Sequence, residues 1–289
     1  MRILILRGGA LGDLIVTLPA IAALRAHWPD ARIELVGNSS AAQLALSRGL
    51  IDAAHSQHEA RWAALYGISP LRAELATWLG TFDLVINYWP DPEKELAQRF
   101  PIRSDQIFLT AMAQPISSPA ASHYCTPLQQ IDLEPEALVY PLRQPTPDRT
   151  LVALHPGSGS AKKNWPMDRW RTLARWLEAD LRLSVLVISG EGEPADILEG
   201  VGVHLRSRPL DELADRLACC RLFIGHDSGI SHLAASAGVP CVLLFGPTDP
   251  SIWAPPASTV QVIQRGAEMS AISLPDVQAA VTAALRDRN

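Results

Sequence analysis

Short apolar runs, each ending in a polar or glycine-containing turn, constrain the fold of this chain more than any other feature. They predict strands at 3–6, 33–36, 83–87, 151–155, 183–189, 221–225 and 241–245. Continuous apolar runs of this length are typical of strands buried on both faces of a parallel sheet. Helical patterns separate them, such as the apolar spacing of Trp170, Leu173 and Leu177. The sequence therefore predicts an α/β fold with doubly wound sheets and right-handed crossovers.

A proline-rich stretch between residues 115 and 150 interrupts this pattern, which then begins again. A length of 289 residues suffices for two domains. Because residues 141–150 are polar and contain regularly spaced prolines, we place the linker there and predict domains at 1–145 and 146–272. A last amphipathic helix is predicted within 273–289. A long surface loop inside one domain is the alternative interpretation of the proline-rich stretch.

Composition excludes several classes of protein. A formal net charge of −5 predicts no nucleic-acid partner. No apolar run reaches the roughly 18 residues of a membrane span, and Arg7 and Asp13 interrupt the apolar N-terminus too early for a signal peptide. Four cysteines without metal-ligand spacing indicate reduced thiols and no metal site. We expect a cytoplasmic protein, with peripheral contact at the inner membrane left open.

Two segments of the second half are typical of phosphate binding. In residues 223–232, a buried strand runs into a turn that opens a helix at Ser228 and Gly229. Helix N-terminal N–H groups attract an anion such as a diphosphate, and His232 projects one turn further along the same face. Asp227 has the wrong charge for phosphate and suits sugar hydroxyls. A plain helix cap is the structural alternative.

The second such segment, residues 155–166, is a Gly/Ser-rich loop that includes Ser158, Gly159 and two lysines. Lys162 or Lys163 is able to neutralise a departing diphosphate. The spacing is not that of a P-loop, and a solvated loop is the alternative. After the next strand, Glu191 or Glu193 is able to bind a ribose, and the sequence does not decide between them.

In the first half, the loop 8–13 follows the first strand and ends in Asp13. A carboxylate at such a strand edge is able to act as a general base on an acceptor hydroxyl, and a helix-entry cap is the alternative. His55, His58 and Arg61 with Trp62 form a polar and aromatic patch, for which a solvated face is favoured over an anionic acceptor site.

In order along the chain, these segments resemble glycosyltransferase family 9, the ADP-heptose:lipopolysaccharide heptosyltransferases. Residues 12–20 resemble its GDxxxTLPA segment, 155–165 its donor-phosphate loop, and 227–232 its D[ST]GxxH signature; 245–248 also fit. The resemblance implies a GT-B fold of two Rossmann-like domains facing a cleft, and an inverting, metal-independent transfer. The donor would bind mainly to the second domain, and the last helix would cross back to the first.

By the same resemblance, Asp13 matches the proposed general base and Lys163 a lysine on the donor diphosphate. Ser158, Asp227, Ser228, Gly229 and His232 match donor-binding positions, and we add Gly159 and Glu193 from the loops. The expected partners are a nucleotide-diphosphate sugar and a saccharide or lipid-linked saccharide acceptor, with no cofactor. Two alternatives stay open: a transferase or epimerase using a UDP- or GDP-sugar, and a non-catalytic nucleotide-sugar-binding protein.

Overall fold

The computed structural model of the chain describes residues 1–67, 70–117, 119–144, 146, 148–194 and 196–286. The chain divides into two compact units, Met1–Tyr140 and Pro141–Asn289. Each unit contains one parallel sheet with helices between its strands. The predicted α/β class with doubly wound parallel sheets is confirmed.

The sheet of the first unit has the strand order β3-β2-β1-β4-β5. Its strands are β1 (Arg2–Arg7), β2 (Arg32–Gly37), β3 (Ala53–Ser56), β4 (Leu84–Asn87) and β5 (Ile107–Thr110). Its helices are α1 (Leu11–Ile15), α2 (Leu18–His27), α3 (Ser39–Ser47), α4 (Ala73–Leu79), α5 (Glu95–Arg99) and α6 (Ala120–Cys125), with 3-10 turns at Ala60–Tyr66 and Thr126–Ile131. The order reverses between β1 and β4, where ligands bind in open α/β sheets.

The sheet of the second unit has the order β11-β10-β9-β6-β7-β8. Its strands are β6 (Asp148–His155), β7 (Ser184–Ser189), β8 (Val203–Arg206), β9 (Cys220–His226), β10 (Cys241–Phe245) and β11 (Val260–Gln264). Its helices are α7 (Met167–Ala179), α8 (Leu210–Ala218), α9 (Gly229–Ser236), α10 (Pro250–Trp253) and α11 (Leu274–Arg286), with 3-10 turns at Ala161–Lys163 and Met269–Ala271. Numbered within the unit, this is the 3-2-1-4-5-6 order of dinucleotide-binding sheets, which reverses between β6 and β9.

Apolar burial accounts for these layers. β1, β4 and β10 are buried along nearly their whole length, as their continuous apolar sequences predict. In the second unit, α7 inserts Trp170, Leu173 and Leu177 into a core shared with α11. The indole rings of Trp165 and Trp170 meet edge to face, with centroids 5.4 Å apart. This core fixes the end of the loop that precedes α7.

Four strands and several short helices escaped the sequence analysis. β3, β5, β8 and β11 are short or partly exposed, so their apolar patterns are weak. The loop predicted at 8–13 contains a short helix, α1, which begins before Asp13. Thr17 directly precedes α2, where a threonine commonly caps a helix, but its hydroxyl donates to the Asp13 carbonyl oxygen at 2.8 Å and makes no capping hydrogen bond.

The segment around the expected linker associates with the second unit. Leu142 N donates to Ser236 O at 2.7 Å, and Thr146 N donates to Ala218 O at 2.9 Å. The Arg143 guanidinium pairs with Asp211 at 2.9 Å and also with Asp215. The predicted domain limits at 145 and 272, and the return of the last helix to the first domain, stay predictions. α11 itself packs on the core of the second unit through Val277, Ala280 and Val281.

No helix among the described residues is both long enough and apolar enough to span a bilayer.

Candidate functional site

A buried histidine holds the two ends of the Gly/Ser-rich loop together. His226, at the end of β9, accepts a hydrogen bond at Nε2 from Trp165 N at 2.9 Å. Its Nδ1 lies 3.3 Å from the carbonyl oxygen of Gly157. One neutral tautomer, protonated at Nδ1, satisfies both contacts. Burial lowers the pKa of His226 to about 3, so the ring stays neutral at pH 7.

The loop thus held presents Lys163 beside the turn after β9. Lys163 Nζ lies 2.6 Å from Asp227 Oδ2, and the hydroxyl of Thr248 donates to the same oxygen at 2.8 Å. The aspartate is nearly buried, while about a third of the lysine side chain is exposed. The carboxylate therefore orients an ammonium group that still reaches solvent. Both contacts are made by one of the two Asp227 carboxylate oxygens.

Helix α9 begins next to this pair. The side chain of Ser228 is its N-cap and accepts a hydrogen bond from Ser231 N, as Ser does at many helix starts. Gly229 is the first helical residue, and Ser231 is fixed by a short hydrogen bond to the His226 carbonyl. His232 is buried within the first turns. Ser228 therefore caps α9, as the structural alternative expected, and this helix start lies beside the Gly/Ser-rich loop.

A third cluster lies at the carboxyl ends of β6 and β7. Glu193 Oε2 accepts a hydrogen bond from Gly190 N at 2.6 Å, and its Oε1 lies 3.9 Å from His155 Nε2. Burial lowers the pKa of His155 to about 4, so this contact is not an ion pair at neutral pH. His155 Nδ1 lies 3.4 Å from the Ser228 hydroxyl. Glu193, and not the exposed Glu191, faces the loop.

Two other loop residues predicted to bind the donor have different surroundings. The Ser158 hydroxyl lies 2.6 Å from Asn164 Oδ1 and 2.8 Å from the carbonyl oxygen of Ser160, so it braces the loop. Gly159 faces open space, whereas a Cβ built on Gly157 would come 2.2 Å from Glu193 Oε1. The close approach that requires glycine is therefore at Gly157, which the sequence analysis did not single out.

In the first unit, Asp13 is held from two sides. Its Oδ1 pairs with Arg7 Nη2 at 3.0 Å, and its Oδ2 accepts a hydrogen bond from Ala10 N at 2.8 Å. Arg7 is buried, lies 4.0 Å from the Tyr124 ring centroid, and also donates to the hydroxyl of Thr17. The carboxylate is one third exposed. Asp13 is therefore both a helix-entry cap and an oriented, accessible carboxylate.

Sequence reasoning assigned no individual role to several residues that build these sites: His226, Thr248, Gly157, Trp165 and Arg7. A histidine directly before the Asp-Ser-Gly turn was the available signal for His226. The contacts of Thr248 and Arg7 join residues 21 and 6 positions away, which no local pattern specifies. Among the described residues, no group of three or more His, Cys, Asp or Glu side chains is arranged to hold a metal.

Two doubly wound units, with a glycine-rich loop and a helix N-terminus at the reversal point of the second sheet, are the architecture of the GT-B fold. Residues 124–275 match the model of glycosyltransferase family 9 (heptosyltransferase), and the chain belongs to that family. The predicted family and enzyme class are thus confirmed.

Individual relatives agree with this assignment. The chain is 25% identical over 288 residues to lipopolysaccharide heptosyltransferase 1 of Salmonella typhimurium LT2, an alignment that covers 87% of this chain and 90% of the relative. It resembles the family 9 glycosyltransferase structure from Veillonella parvula, with a TM-score of 0.79, 22% identity, and 99% and 97% of the two chains covered. The E. coli heptosyltransferase WaaC with ADP gives a TM-score of 0.76 at 20% identity, covering 98% and 100%.

Proposed function

We propose that this chain transfers a heptose from an ADP-heptose donor to a saccharide acceptor of the lipopolysaccharide core type. The observation that carries the proposal is the Lys163–Asp227 pair beside the N-terminus of α9, at the reversal point of the second sheet. An oriented cation beside a helix N-terminus suits a diphosphate. The heptosyltransferase relatives supply the choice of sugar and nucleotide.

In this proposal the donor binds to the second unit. Lys163, Ser228, Gly229 and His232 contact the diphosphate, and the backbone at Ser158 and Gly159 closes around it. Glu193 binds the ribose of the nucleotide, because its carboxylate faces the loop beside His155. Asp227 orients Lys163 and accepts a hydrogen bond from a donor hydroxyl through its second oxygen.

The proposed reaction is an inverting displacement that needs no metal. Asp13 removes the proton of an acceptor hydroxyl, whose oxygen forms a bond to the anomeric carbon from the face opposite the diphosphate. The bond from that carbon to the diphosphate oxygen breaks, and ADP leaves with the electron pair. Lys163 stabilises the negative charge that develops on the leaving group. Two fixed donors, Arg7 and Ala10 N, orient the Asp13 carboxylate for the first step.

The acceptor is assigned to the first unit, which contains Asp13. We propose a saccharide or lipid-linked saccharide acceptor and a cytoplasmic location, with peripheral contact at the inner membrane if the acceptor is lipid-linked. The domain limits at 145 and 272, with a last helix that crosses back to the first domain, are part of the same proposal.

Calorimetric titration with ADP, UDP and GDP tests the donor assignment, with Lys163→Ala as the variant. Exposed Lys162 on the same loop provides the matched control, Lys162→Ala. We expect ADP to bind more tightly than UDP or GDP. Loss of one charge-assisted contact should weaken ADP binding by about 10- to 100-fold in Lys163→Ala, with a change of about twofold or less in Lys162→Ala.

A preference for UDP or GDP would change the proposed donor nucleotide but leave the proposed site unchanged. Equal losses of ADP affinity in the two lysine variants would contradict a specific role for Lys163. If none of the three nucleotides bound, the assignment of a nucleotide-sugar donor to the second unit would fail. Release of ADP from ADP-heptose in the presence of an acceptor, measured with and without chelator, tests turnover and the metal-independent step.

A further inference from the structure

The loop after β10 contacts the Lys163–Asp227 pair, although the proposed function assigns this loop no role. The hydroxyl of Thr248 donates to Asp227 Oδ2 at 2.8 Å, and Lys163 Nζ lies 2.6 Å from the same oxygen. The direction in which this carboxylate faces therefore depends on where the loop holds the Thr248 hydroxyl. We define residues 246–248 as the threonine loop.

The side chain of Gln264 holds the threonine loop from the neighbouring strand. Gln264 is the last residue of β11 and lies in register with Phe245, the last residue of β10. Its Nε2 donates to the carbonyl oxygen of Gly246 at 2.9 Å and to that of Thr248 at 3.1 Å. A primary amide nitrogen has two N–H donors, so both are used here. The opposite orientation of the amide would place its oxygen against two carbonyl oxygens, neither of which donates.

A close backbone contact holds the other side of the threonine loop. A Cβ built on Gly246 would come 2.6 Å from Met269 Sδ and 2.9 Å from the carbonyl oxygen of Ala267. Glycine at this position therefore lets the loop lie directly against the segment that follows β11. The position of Thr248 is then set by packing at Gly246 and by the amide of Gln264.

The loop that carries Lys163 is held by the same segment. Trp165 Nε1 donates to the carbonyl oxygen of Ile272 at 2.8 Å, and Arg169 Nη1 donates to that oxygen at 2.5 Å. Trp165 is buried and lies two residues after Lys163, so this contact fixes the end of the Gly/Ser-rich loop. Residues 264–272 therefore contact both the threonine loop and the loop that carries the lysine.

We propose that Gln264 is a positioning residue of the donor site, which acts on Lys163 through Thr248 and Asp227. This rests on the proposed function, in which Lys163 binds the donor diphosphate. The amide of Gln264 holds the threonine loop, the Thr248 hydroxyl orients the carboxylate, and the carboxylate orients the ammonium group. Each of these contacts is 3.1 Å or shorter. Loss of the amide therefore weakens diphosphate binding without removing a group that touches the nucleotide.

A second glutamine on β11 provides a matched control. Gln261 is exposed, and because it lies three residues before Gln264, the alternation of a strand places it on the opposite face. Gln264→Leu removes the amide and keeps an apolar side chain of similar size, and Gln261→Leu makes the same change. Thr248→Val removes the hydroxyl from the other end of the connection, whereas Thr248→Ser retains it.

The first test observes Lys163 in the full-length chain without nucleotide. The chain contains three lysines, Lys94, Lys162 and Lys163, so NMR with carbon-13-labelled lysine gives few side-chain signals, and Lys163→Arg identifies the relevant one. The ε-methylene protons of an immobilised lysine have separate shifts, which merge when the side chain rotates freely. We expect separate shifts in the unmodified chain, Gln261→Leu and Thr248→Ser. They should move together in Gln264→Leu and Thr248→Val.

Calorimetry with ADP then measures the effect on binding. We expect Gln264→Leu and Thr248→Val each to weaken ADP binding by about three- to tenfold, the effect of one hydrogen bond, and the two controls by less than about twofold. Because the two side chains act in series, the double variant Gln264→Leu/Thr248→Val should lose no more affinity than the weaker-binding single variant. Urea unfolding shows whether each variant is folded.

Four results would overturn the proposal. They are merged Lys163 shifts in the unmodified chain, separate shifts in folded Gln264→Leu, equal losses of ADP affinity in Gln264→Leu and Gln261→Leu, and single losses that multiply in the double variant. If Gln264→Leu does not fold, Thr248→Val and Thr248→Ser test the same connection, and equal Lys163 shifts in these two variants would contradict it.

The two tests also separate the positioning role from the donor assignment. If ADP binds through Lys163 and folded Gln264→Leu keeps that affinity, the donor site stands and the positioning role fails. If the Lys163 shifts respond to Gln264→Leu as expected while no nucleotide binds, Gln264 orients the lysine and the donor assignment fails.

Discussion

At the scale of single residues, Asp13 combines a structural and a proposed chemical role. Asp13→Asn keeps the shape of the side chain but removes its capacity to accept a proton. We expect kcat to fall by about 10²- to 10⁴-fold, the usual contribution of a general base, with ADP affinity unchanged. Steady-state kinetics with ADP-heptose and calorimetry measure the two quantities.

Asp52→Asn is the matched control for this substitution. Asp52 pairs with Arg25 at 2.6 Å, but it precedes β3 and so lies at the opposite edge of the same sheet. It should retain kcat. If Asp13→Asn kept near-normal turnover with an unchanged melting temperature, another group would have to remove the proton.

Two glycines of the Gly/Ser-rich loop give a second residue-scale prediction. In Gly157→Ala the new methyl group would displace Glu193 from its hydrogen bond to Gly190, whereas Gly159→Ala places a methyl group in open space. We expect Gly157→Ala to lower the free energy of unfolding by about 1–3 kcal/mol, the cost of disrupting a partly buried hydrogen bond to a carboxylate, and to weaken ADP binding. Urea unfolding and calorimetry measure both; an equal effect in Gly159→Ala would contradict this explanation.

At the scale of elements, the end of β9 controls the loop before α7 through His226. This coupling predicts a pH dependence of stability. In the unfolded chain the histidine becomes protonated as pH falls below its ordinary pKa of about 6.5. In the folded chain the buried ring stays neutral until pH falls to about 3. The contribution of His226 to the free energy of unfolding is therefore complete above pH 6.5 and is lost progressively as pH falls from 6.5 towards 3.

His226→Gln retains a donor and an acceptor but does not titrate. The free energy of unfolding of the unmodified chain declines as pH falls from 6 to 4.5. We expect this decline to be smaller in His226→Gln, by about 1.4 kcal/mol per pH unit. Tryptophan fluorescence during urea unfolding suits the measurement, because Trp170 lies 5.3 Å from the histidine ring. His204→Gln, at an exposed position, is the control. An unchanged slope in His226→Gln would show that the histidine titrates in the folded state as it does in the unfolded one.

At the scale of the whole molecule, each unit has its own apolar core. One cluster is drawn from β1, β4 and neighbouring helices of the first unit, and another from β6, β9, β10, α7 and α11 of the second. A ligand that binds one unit should therefore stabilise that unit most strongly.

Hydrogen exchange with and without ADP measures this distribution. We expect ADP to slow exchange of backbone amides in 155–165 and 226–232 by about 10- to 100-fold, as saturation of a site implies, with smaller changes in 8–15 and 57–66. Equal protection of both units by ADP would argue against a donor site confined to the second.

The class of fold and the order of the motifs follow from the amino-acid sequence without the structure. Continuous apolar strands, amphipathic helices and three separated motifs are local features, so β1, β6, α7 and α9 were predictable within a few residues. The weakly patterned edge strands β3, β5, β8 and β11 were not, because their stability comes from pairing with neighbours.

Tertiary structure alone decided which side chains meet. The contacts of Lys163 with Asp227 and of His226 with Trp165 span 64 and 61 residues, and no local pattern encodes such distances along the chain. The choice of Glu193 over Glu191 likewise follows from the turn that places one carboxylate against Gly157. The sequence specifies which strands are buried, but only the packed sheet brings the loops at their carboxyl ends together, since side-chain contacts there depend on strand order.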